Sequence, residues 1–146
     1  MKVAYIFKTN MASTFQLATM ILPQLEQKNH GVEVVGMFFF DDNTHVLRKG
    51  NETGERLNKI AKESGMLIMA CDQCALRRDL AEGDFEQCGT GSIQPKNMIE
   101  VGQVGCFPQL YGALSGNMPN LVITLWIWNS IWPSVDEHNA IGANLM

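Results

Sequence analysis

A short apolar run that ends abruptly in two cysteines is the strongest constraint in this sequence. Residues 66–70 read Met-Leu-Ile-Met-Ala and are followed directly by Cys71-Asp-Gln-Cys74. The run is too short and too uniformly apolar for an amphipathic helix, which favours a parallel strand buried on both faces. The residues from Asp72 onward suit a helix. Cys71 is therefore expected at the carboxyl end of a strand and the beginning of a helix.

That position favours a reactive thiol at Cys71. The partial positive charge of a helix N-terminus, together with Arg77 and Arg78, favours the thiolate, which is the nucleophilic form of cysteine. The binding and catalytic sites of open α/β sheets also lie outside the carboxyl ends of the strands. Asp72 acts in the opposite direction, because a negative charge raises the pKa of a neighbouring thiol.

The rest of the chain alternates between predicted strands and predicted helices. Strands are expected over Lys2–Phe7, 32–40, 66–70, 98–101 and Leu121–Leu125, and helices over 13–27, 55–64, from 72 onward and over 108–114. The first helix is expected to bury one stripe of apolar residues, namely Phe15, Ala18, Ile21, Leu22 and Leu25. This alternation is typical of a three-layer α/β/α domain with a five-stranded, mainly parallel sheet. The length suits a single domain, residues 1–146.

Three further residues are candidates to approach Cys71. Cys106 lies between a predicted strand and a predicted helix, so its thiol meets that of Cys71 if the two strands are neighbours; the alternative is a buried structural cysteine. Cys88 lies in the aperiodic segment 81–97 among acidic residues, and is either a thiol that swings toward Cys71 or a spectator. His45 follows an acidic turn after the second strand, and its alternative is a solvated loop residue.

Composition excludes several classes of function. The net charge is −4 and no Lys/Arg cluster occurs beyond Arg77-Arg78, so neither nucleic acid nor an anionic membrane is an expected partner. The longest apolar stretch, 121–128, is too short to span a membrane, and no signal-peptide pattern occurs. We therefore expect a cytoplasmic protein, whose paired cysteines are more often catalytic or metal-binding than structural. No dinucleotide or phosphate-loop pattern occurs, and no cofactor is expected.

The order of residues around the first cysteine is similar to a known family. Cys71, Ala75-Leu76 and Arg77-Arg78 resemble the Cys-x-x-Ala-Ala-x-Arg-Arg segment of the DsrE/DsrF/TusD-like family of small sulfur-relay proteins. The resemblance implies a DsrE-like fold of the flavodoxin-like topology class, with Cys71 carrying a sulfur atom as a persulfide. It also implies sulfur donor and acceptor proteins as partners and a homo-oligomer, either a trimer or a hexamer. The sequence departs from the pattern at Cys74, where the family usually has Ala.

Three functions of different class remain open for these cysteines. In the first, a sulfurtransferase-like carrier, Cys71 takes sulfur from a donor and passes it to a partner thiol, with Cys74 as the resolving thiol and Cys106 as a third participant. In the second, Cys71 and Cys74 are a dithiol-disulfide oxidoreductase. In the third, Cys71, Cys74 and Cys106 bind a metal ion or an iron-sulfur cluster, although their remaining spacings match no zinc-ribbon or ferredoxin signature.

Overall fold

A parallel sheet is the centre of this computed structural model, which describes residues 1–9 and 11–125. In chain order the elements are β1 (Lys2–Phe7), a π-helix (Ala12–Ile21), α1 (Leu22–Glu26), β2 (Glu33–Phe39), a 3₁₀ helix (Asp41–Leu47), α2 (Glu52–Ser64), β3 (Leu67–Cys71), α3 (Asp72–Leu76), β4 (Ala81–Glu82), a 3₁₀ turn (Phe85–Gln87), β5 (Gln94–Pro95), β6 (Gly102–Gly105), α4 (Phe107–Leu114) and β7 (Leu121–Leu125). The sheet has the strand order β6-β3-β2-β1-β7, and every neighbouring pair is parallel. This confirms the predicted α/β class and the five-stranded sheet.

Apolar side chains cover both faces of the sheet. On one face the rings of Phe7 and Phe39 stack with their centroids 4.6 Å apart, and the fully buried Leu17 and Leu57 belong to the same cluster. On the other face Leu110 of α4 packs against residues of β2 and β3. Burying each large side chain of this kind contributes about 1.5–3 kcal/mol. The three layers therefore follow from strands that are apolar on both sides.

The first helix buries only part of the expected stripe. Ile21 and Leu22 are buried and Leu25 packs against the core, but Phe15 is 54% exposed, and Ser13 and Leu17 are buried at intervals of four residues from Ile21. A π-helix has more residues in each turn than an α-helix, because its hydrogen bonds run from i to i+5, so the buried face shifts to this wider spacing. The segment becomes α-helical at Leu22, and Pro23 lies in the first turn of α1, where its missing N–H is tolerated.

The fourth strand of the sheet was predicted four residues too early. Residues 98–101 form a turn in which the N–H of Gly102 donates to the carbonyl oxygen of Ile99 at 2.9 Å, and the strand that follows is Gly102–Gly105. Met98 and Ile99 are buried, so their apolar character marks the core rather than the strand. A methyl group on Gly102 would lie 3.0 Å from the backbone carbonyl oxygen of Ile99, which favours a residue without a side chain at the beginning of the strand.

The segment 81–97, expected to lack periodicity, contains the short antiparallel pair β4 and β5. Ile93 anchors it to the core with an exposed fraction of only 3%. In the ranges 1–9 and 11–125 no helix is long and apolar enough to cross a membrane. Trp126, Trp128 and Trp132, whose position near the end of a small domain predicts packing or a subunit interface, lie outside the described residues.

Candidate functional site

Cys71 and Cys74 form a hydrogen-bonded thiol pair at the carboxyl end of β3. Cys71 is the last residue of the strand and precedes the first residue of α3, so one helical turn brings Cys74 back beside it. Each thiol shifts the pKa of the other, which places the two sulfur atoms within reach of a hydrogen bond, and the Cys74 thiol also donates to Oδ1 of Asp41. Cys71 is partly exposed, whereas Cys74 is only 9% exposed. The chain therefore offers one accessible thiol and one covered thiol in direct contact.

The contact between the two thiols lowers the pKa of Cys74 and raises the pKa of Cys71. The hydrogen bond from Cys71 lowers the pKa of Cys74 to about 7, with a smaller contribution from the positive charge of Arg78 and opposition from burial. The same hydrogen bond raises the pKa of Cys71, and burial and the negative charge of Asp72 raise it further. The sequence favoured a thiolate at Cys71 and set the negative charge of Asp72 against it; in the structure Asp72 acts in that direction, together with Cys74 and burial. α3 has only five residues, so its dipole is small.

The acidic turn after β2 lies against this pair, as expected from strands that end on the same edge. Oδ1 of Asp41 is 3.7 Å from Sγ of Cys74. The guanidinium of Arg78 donates to Oδ1 of Asp42 at 3.1 and 2.8 Å and to the carbonyl oxygen of Cys74 at 3.1 Å. Arg78 therefore links the end of α3 to the acidic turn and holds a positive charge near the Cys74 sulfur.

Two of the predicted supporting residues interact elsewhere. His45 is exposed in the 3₁₀ helix, with Nε2 4.0 Å from Oδ1 of Asp42, and within the described ranges it forms no hydrogen bond to a thiol. The guanidinium of Arg77 lies over the ring of Phe85, 5.1 Å from its centroid. Neither side chain therefore supports the thiol pair directly, in contrast to Arg78.

Cys106 occupies the equivalent position on the neighbouring strand. β3 and β6 are adjacent, and Cys71 is paired in register with Gly105, the residue before Cys106. Cys106 caps the N-terminus of α4: its side chain accepts the backbone N–H of Gln109, and the Gln109 side chain accepts the N–H of Cys106 at 2.9 Å. The predicted condition for the two thiols to approach each other, neighbouring strands, is met.

A chain of hydrogen bonds joins the N-termini of α3 and α4 through one residue of the segment 81–97, Gly89. Asp72 is 1% exposed, and its two carboxylate oxygens accept the N–H groups of Gln73 at 2.7 Å and of Gly89 at 2.6 Å. The carbonyl oxygen of Gly89 accepts from Nε2 of Gln109 at 3.0 Å. These links were not predicted. A cysteine followed three residues later by Gln just before a helix is a variant of the capping-box pattern and could have identified Gln109.

The hydrogen bonds of Gly89 also position Cys88, the residue before it. Cys88 is partly buried, and burial raises the pKa of its thiol, with the negative charges of Asp72 and of a Cys106 thiolate acting in the same direction. The Cys88 thiol is therefore not acidified. A methyl group on the next residue, Gly89, would lie 4.0 Å from Cβ of Cys106.

An aromatic surface adjoins the accessible thiol. Cys71 packs against the cluster formed by Phe38, Met69 and Leu110. Phe38 and Leu110 also line an apolar groove of about 370 Å³ beside α4. Two aromatic side chains at this groove are unusually exposed, Phe107 at 46% and Tyr111 at 65%. Exposed apolar surface of this kind is typical of a site where another protein binds.

The cysteines do not assemble into a metal centre. Among the residues described, no group of three or more His, Cys, Asp or Glu side chains is placed to hold a metal ion. Cys71, Cys74 and Cys106 are therefore not brought together in the way that the metal-binding interpretation requires.

Comparisons with known proteins identify the fold alone. No protein-family model matches the chain, and no curated protein matches it in sequence. Among solved structures, the chain is similar to the YchN protein from E. coli, with a TM-score of 0.55 and 14% sequence identity over 86% of this chain and all of that one. The architecture thus matches a DsrE-like α/β fold with a five-stranded parallel sheet.

Proposed function

We propose that this protein is a small cytoplasmic sulfur carrier of the sulfurtransferase type, which holds sulfur as a persulfide on Cys71 and passes it to a partner thiol. The observation that carries the proposal is the Cys71–Cys74 pair, an accessible thiol hydrogen-bonded to a covered one with a pKa of about 7. The similarity in fold to a DsrE-like protein supports it.

Loading of sulfur onto Cys71 begins with a proton transfer between the two thiols. Cys71 transfers its proton to the Cys74 thiolate, and the Cys71 thiolate attacks the outer sulfur of a donor persulfide, R–S–SH. The bond between the two donor sulfurs breaks, R–S⁻ leaves, and Cys71–S–SH remains. Cys74 therefore acts as the base in this step, and its pKa near neutral suits that role because proton transfer is most efficient when the pKa lies near the working pH.

Release follows the same exchange chemistry in reverse. A partner thiolate attacks the outer sulfur of Cys71–S–SH, takes it as its own persulfide and leaves the Cys71 thiolate. If no partner is present, the Cys74 thiolate can attack the inner sulfur, which forms a Cys71–Cys74 disulfide and expels HS⁻. Cys106 is a third participant in the proposal, because it follows the residue paired with Cys71 on the adjacent strand.

The proposed partners are proteins that donate and accept sulfur through cysteine. The apolar groove beside α4 supports protein partners, since it is lined by Phe38 and Leu110, which belong to the cluster that Cys71 packs against. Assembly of the chain into a homo-oligomer, a trimer or a hexamer, remains part of the proposal.

Intact mass measurement on anaerobically purified protein tests the proposal. After exposure to polysulfide, the wild-type chain should gain one or more sulfur atoms that a reductant removes. Cys71→Ser should abolish this gain while leaving the circular dichroism spectrum unchanged. Cys74→Ser should still load, but more slowly at neutral pH, and should hold the sulfur longer because the intramolecular release step is lost. If the Cys71→Ser variant still gains sulfur, Cys71 is not the residue that carries it.

A dithiol-disulfide oxidoreductase is the second candidate, and one observation favours it. The pKa of each thiol responds to the other, so the two sulfur atoms lie close together, as closing a disulfide between them requires. In that case polysulfide would remove two hydrogens from the wild-type chain without adding sulfur. Because intramolecular release from a carrier ends in the same disulfide, the Cys74→Ser variant separates the two functions: a carrier should keep the added sulfur on Cys71, whereas an oxidoreductase should not.

A further inference from the structure

The carboxylate of Asp41 lies against the covered thiol of the pair. Sγ of Cys74 donates to Oδ1 of Asp41 at 3.7 Å. Asp41 is exposed and Cys74 is buried, so this hydrogen bond joins a covered sulfur to a group in contact with solvent. In the ranges 1–9 and 11–125 the carboxylate of Asp41 forms no ion pair, whereas that of Asp42 is paired with Arg78. Asp41 therefore presents an uncompensated negative charge to the Cys74 sulfur.

The backbone of Asp41 is fixed by the turn around it. Its φ of 48° lies in the left-handed region, which few residues other than glycine adopt and which aspartate and asparagine tolerate best. The carbonyl oxygen of Asp41 accepts the hydroxyl of the fully buried Thr44 at 2.7 Å, and the N–H of Asn43 donates to the carbonyl oxygen of Phe40 at 3.1 Å. Backbone strain of this kind persists where the surrounding structure fixes it, and it is frequent at functional sites. The fold therefore keeps Asp41 beside Cys74 despite the strain.

Loading of Cys71 with sulfur removes the main contact that keeps Cys74 ionised. In the unloaded chain the hydrogen bond from Cys71 lowers the pKa of Cys74 most, and the backbone N–H of Asp41 acts in the same direction, whereas burial and the negative charge of Asp41 oppose them. Once Cys71 carries a persulfide, its inner sulfur has no proton to donate to Cys74. The negative charge of Asp41 then favours the protonated form of Cys74, because a thiol can donate to a carboxylate and a thiolate is repelled by it.

We propose that Asp41 is a positioning residue that keeps Cys74 protonated while Cys71 carries sulfur, and so protects the persulfide from attack within the chain. This inference rests on the proposed function. In the attack, the Cys74 thiolate forms a bond to the inner sulfur of Cys71–S–SH, the bond between the inner and outer sulfur breaks, and HS⁻ leaves with its electron pair. The thiolate is the nucleophile, so a protonated Cys74 leaves the sulfur for a partner thiol.

The other charged side chains around Cys74 have partners of their own. Arg78 is paired with Asp42, and its positive charge favours the thiolate of Cys74. Among the described residues, none of the remaining charged side chains of α3, of the residues that follow it or of the 3₁₀ helix bonds to the Cys74 sulfur; this set is Asp42, His45, Arg48, Asp72, Arg77 and Arg78. Loss of the Asp41 carboxylate should therefore leave Arg78 unopposed and favour the thiolate.

The test compares Asp41→Asn and Asp41→Gly with Asp79→Asn in the full chain. Asparagine and glycine both tolerate the left-handed backbone, so the turn and the N–H of residue 41 are retained while the charge is lost. Asp79 is the matched control, since it is an aspartate in the same left-handed conformation, with a φ of 55°, and its carboxylate is paired with Lys96. Urea unfolding shows whether each variant remains folded.

Alkylation of the unloaded chain reports the protonation of Cys74 without any sulfur donor. The rate of its reaction with iodoacetamide is followed against pH by peptide mass analysis. A unit charge about 4 Å away changes such an equilibrium by about fivefold, so Cys74 should react about fivefold faster at pH 6 in both Asp41 variants. Asp79→Asn should match the wild type. An unchanged pH profile in both Asp41 variants, or an equal shift in Asp79→Asn, would overturn the proposal.

Release of sulfide from polysulfide-loaded protein tests the protective role itself. After removal of excess polysulfide at pH 6 without oxygen, both Asp41 variants should release HS⁻ about fivefold faster than the wild type and Asp79→Asn. Adding Cys74→Ser to Asp41→Asn should abolish this difference. Equal release from the wild type and the Asp41 variants contradicts the proposal. If the wild type takes up no sulfur, the proposed function fails, while the alkylation profiles still decide whether Asp41 controls the proton of Cys74.

Discussion

Oδ2 of Asp72 accepts a 2.6 Å hydrogen bond from the backbone N–H of Gly89, seventeen residues further along the chain. The acceptor belongs to the residue directly after Cys71, and the donor directly follows Cys88. This one bond connects α3, which carries Cys74 and directly follows Cys71, to the segment that carries Cys88. Asp72 is therefore both a source of negative charge for the thiols and an anchor for the segment.

Replacing Asp72 by Ala should destabilise the protein. The N–H groups of Gln73 and Gly89 both lose their acceptor, and leaving a covered donor unpaired costs about 1–3 kcal/mol. Urea unfolding should show this loss as a lower midpoint with an unchanged slope. Asp72→Asn is the matched control, because it keeps one acceptor oxygen and should lose less. Equal stability of the Ala variant and the wild type would show that the bond does not hold the segment.

Much of the fold follows from apolar runs in the sequence. The strand Lys2–Phe7 was predicted residue for residue, because its side chains are covered on both faces and the run ends where the sheet ends. Gly102–Gly105 could not be found in this way, since it begins and ends with glycines that close packing requires. The shift of the first helical stripe had no local signal, because an i to i+5 hydrogen-bond pattern differs little from an α-helical one in composition.

The site was predictable in position but not in acidity. Parallel strands end on one edge, so the strand-end placement of Cys71 and Cys106 followed from local sequence. Which thiol carries the proton depends on the contact between two sulfur atoms and on Arg78, which is held by a carboxylate 36 residues away in the chain. Such contacts are tertiary, and a strand-to-helix pattern contains no information about them.

The reactivity of Cys74 should show a transition near neutral pH. Its pKa of about 7 predicts that alkylation by iodoacetamide at this position, followed by peptide mass analysis, rises to half of its limiting rate near pH 7. Cys71→Ala removes the hydrogen bond that contributes most to this lowering, so the transition should move to higher pH. Cys71→Ser keeps a hydroxyl donor and should move it less. An unchanged transition in Cys71→Ala would show that another group lowers the pKa.

The stability of the reduced protein should depend on pH through the same pair. The pKa of Cys74 is lowered on folding, so its stabilisation is present above the unfolded value of about 8.5 and is lost as the pH falls through about 7. The pKa of Cys71 is raised, so its contribution is present below about 8.5 and is lost as the pH rises further. The contribution of the pair therefore peaks near pH 8.5. Comparing urea unfolding of the wild type and of Cys71→Ala/Cys74→Ala across this range should show the peak in the wild type alone.

The positive charge of Arg78 should stabilise the thiolate form of Cys74. Arg78→Gln removes the positive charge that lowers the pKa of the Cys74 thiol, so the alkylation transition should move to higher pH. Arg56→Gln is the control, since Arg56 forms a comparable two-bond ion pair with Glu26 on α1. That variant should leave the transition in place. If both variants shift it equally, net charge rather than the position of Arg78 controls the thiol.

Gly105 should tolerate no side chain, because α4 lies directly against it. A methyl group at Gly105 would be 2.7 Å from Cβ of Gln109 and 3.3 Å from Sδ of Met69, so Gly105→Ala should push the N-terminus of α4 and Cys106 away from β3. Overpacking of this kind costs about 1–3 kcal/mol. Gly112→Ala is the matched control in α4, where a methyl group meets nothing within 4 Å and should stabilise the helix by about 0.5–1 kcal/mol. Thermal unfolding of the two variants should therefore shift in opposite directions. A stabilising effect of Gly105→Ala would mean that the contact between α4 and β6 is looser than the distances indicate.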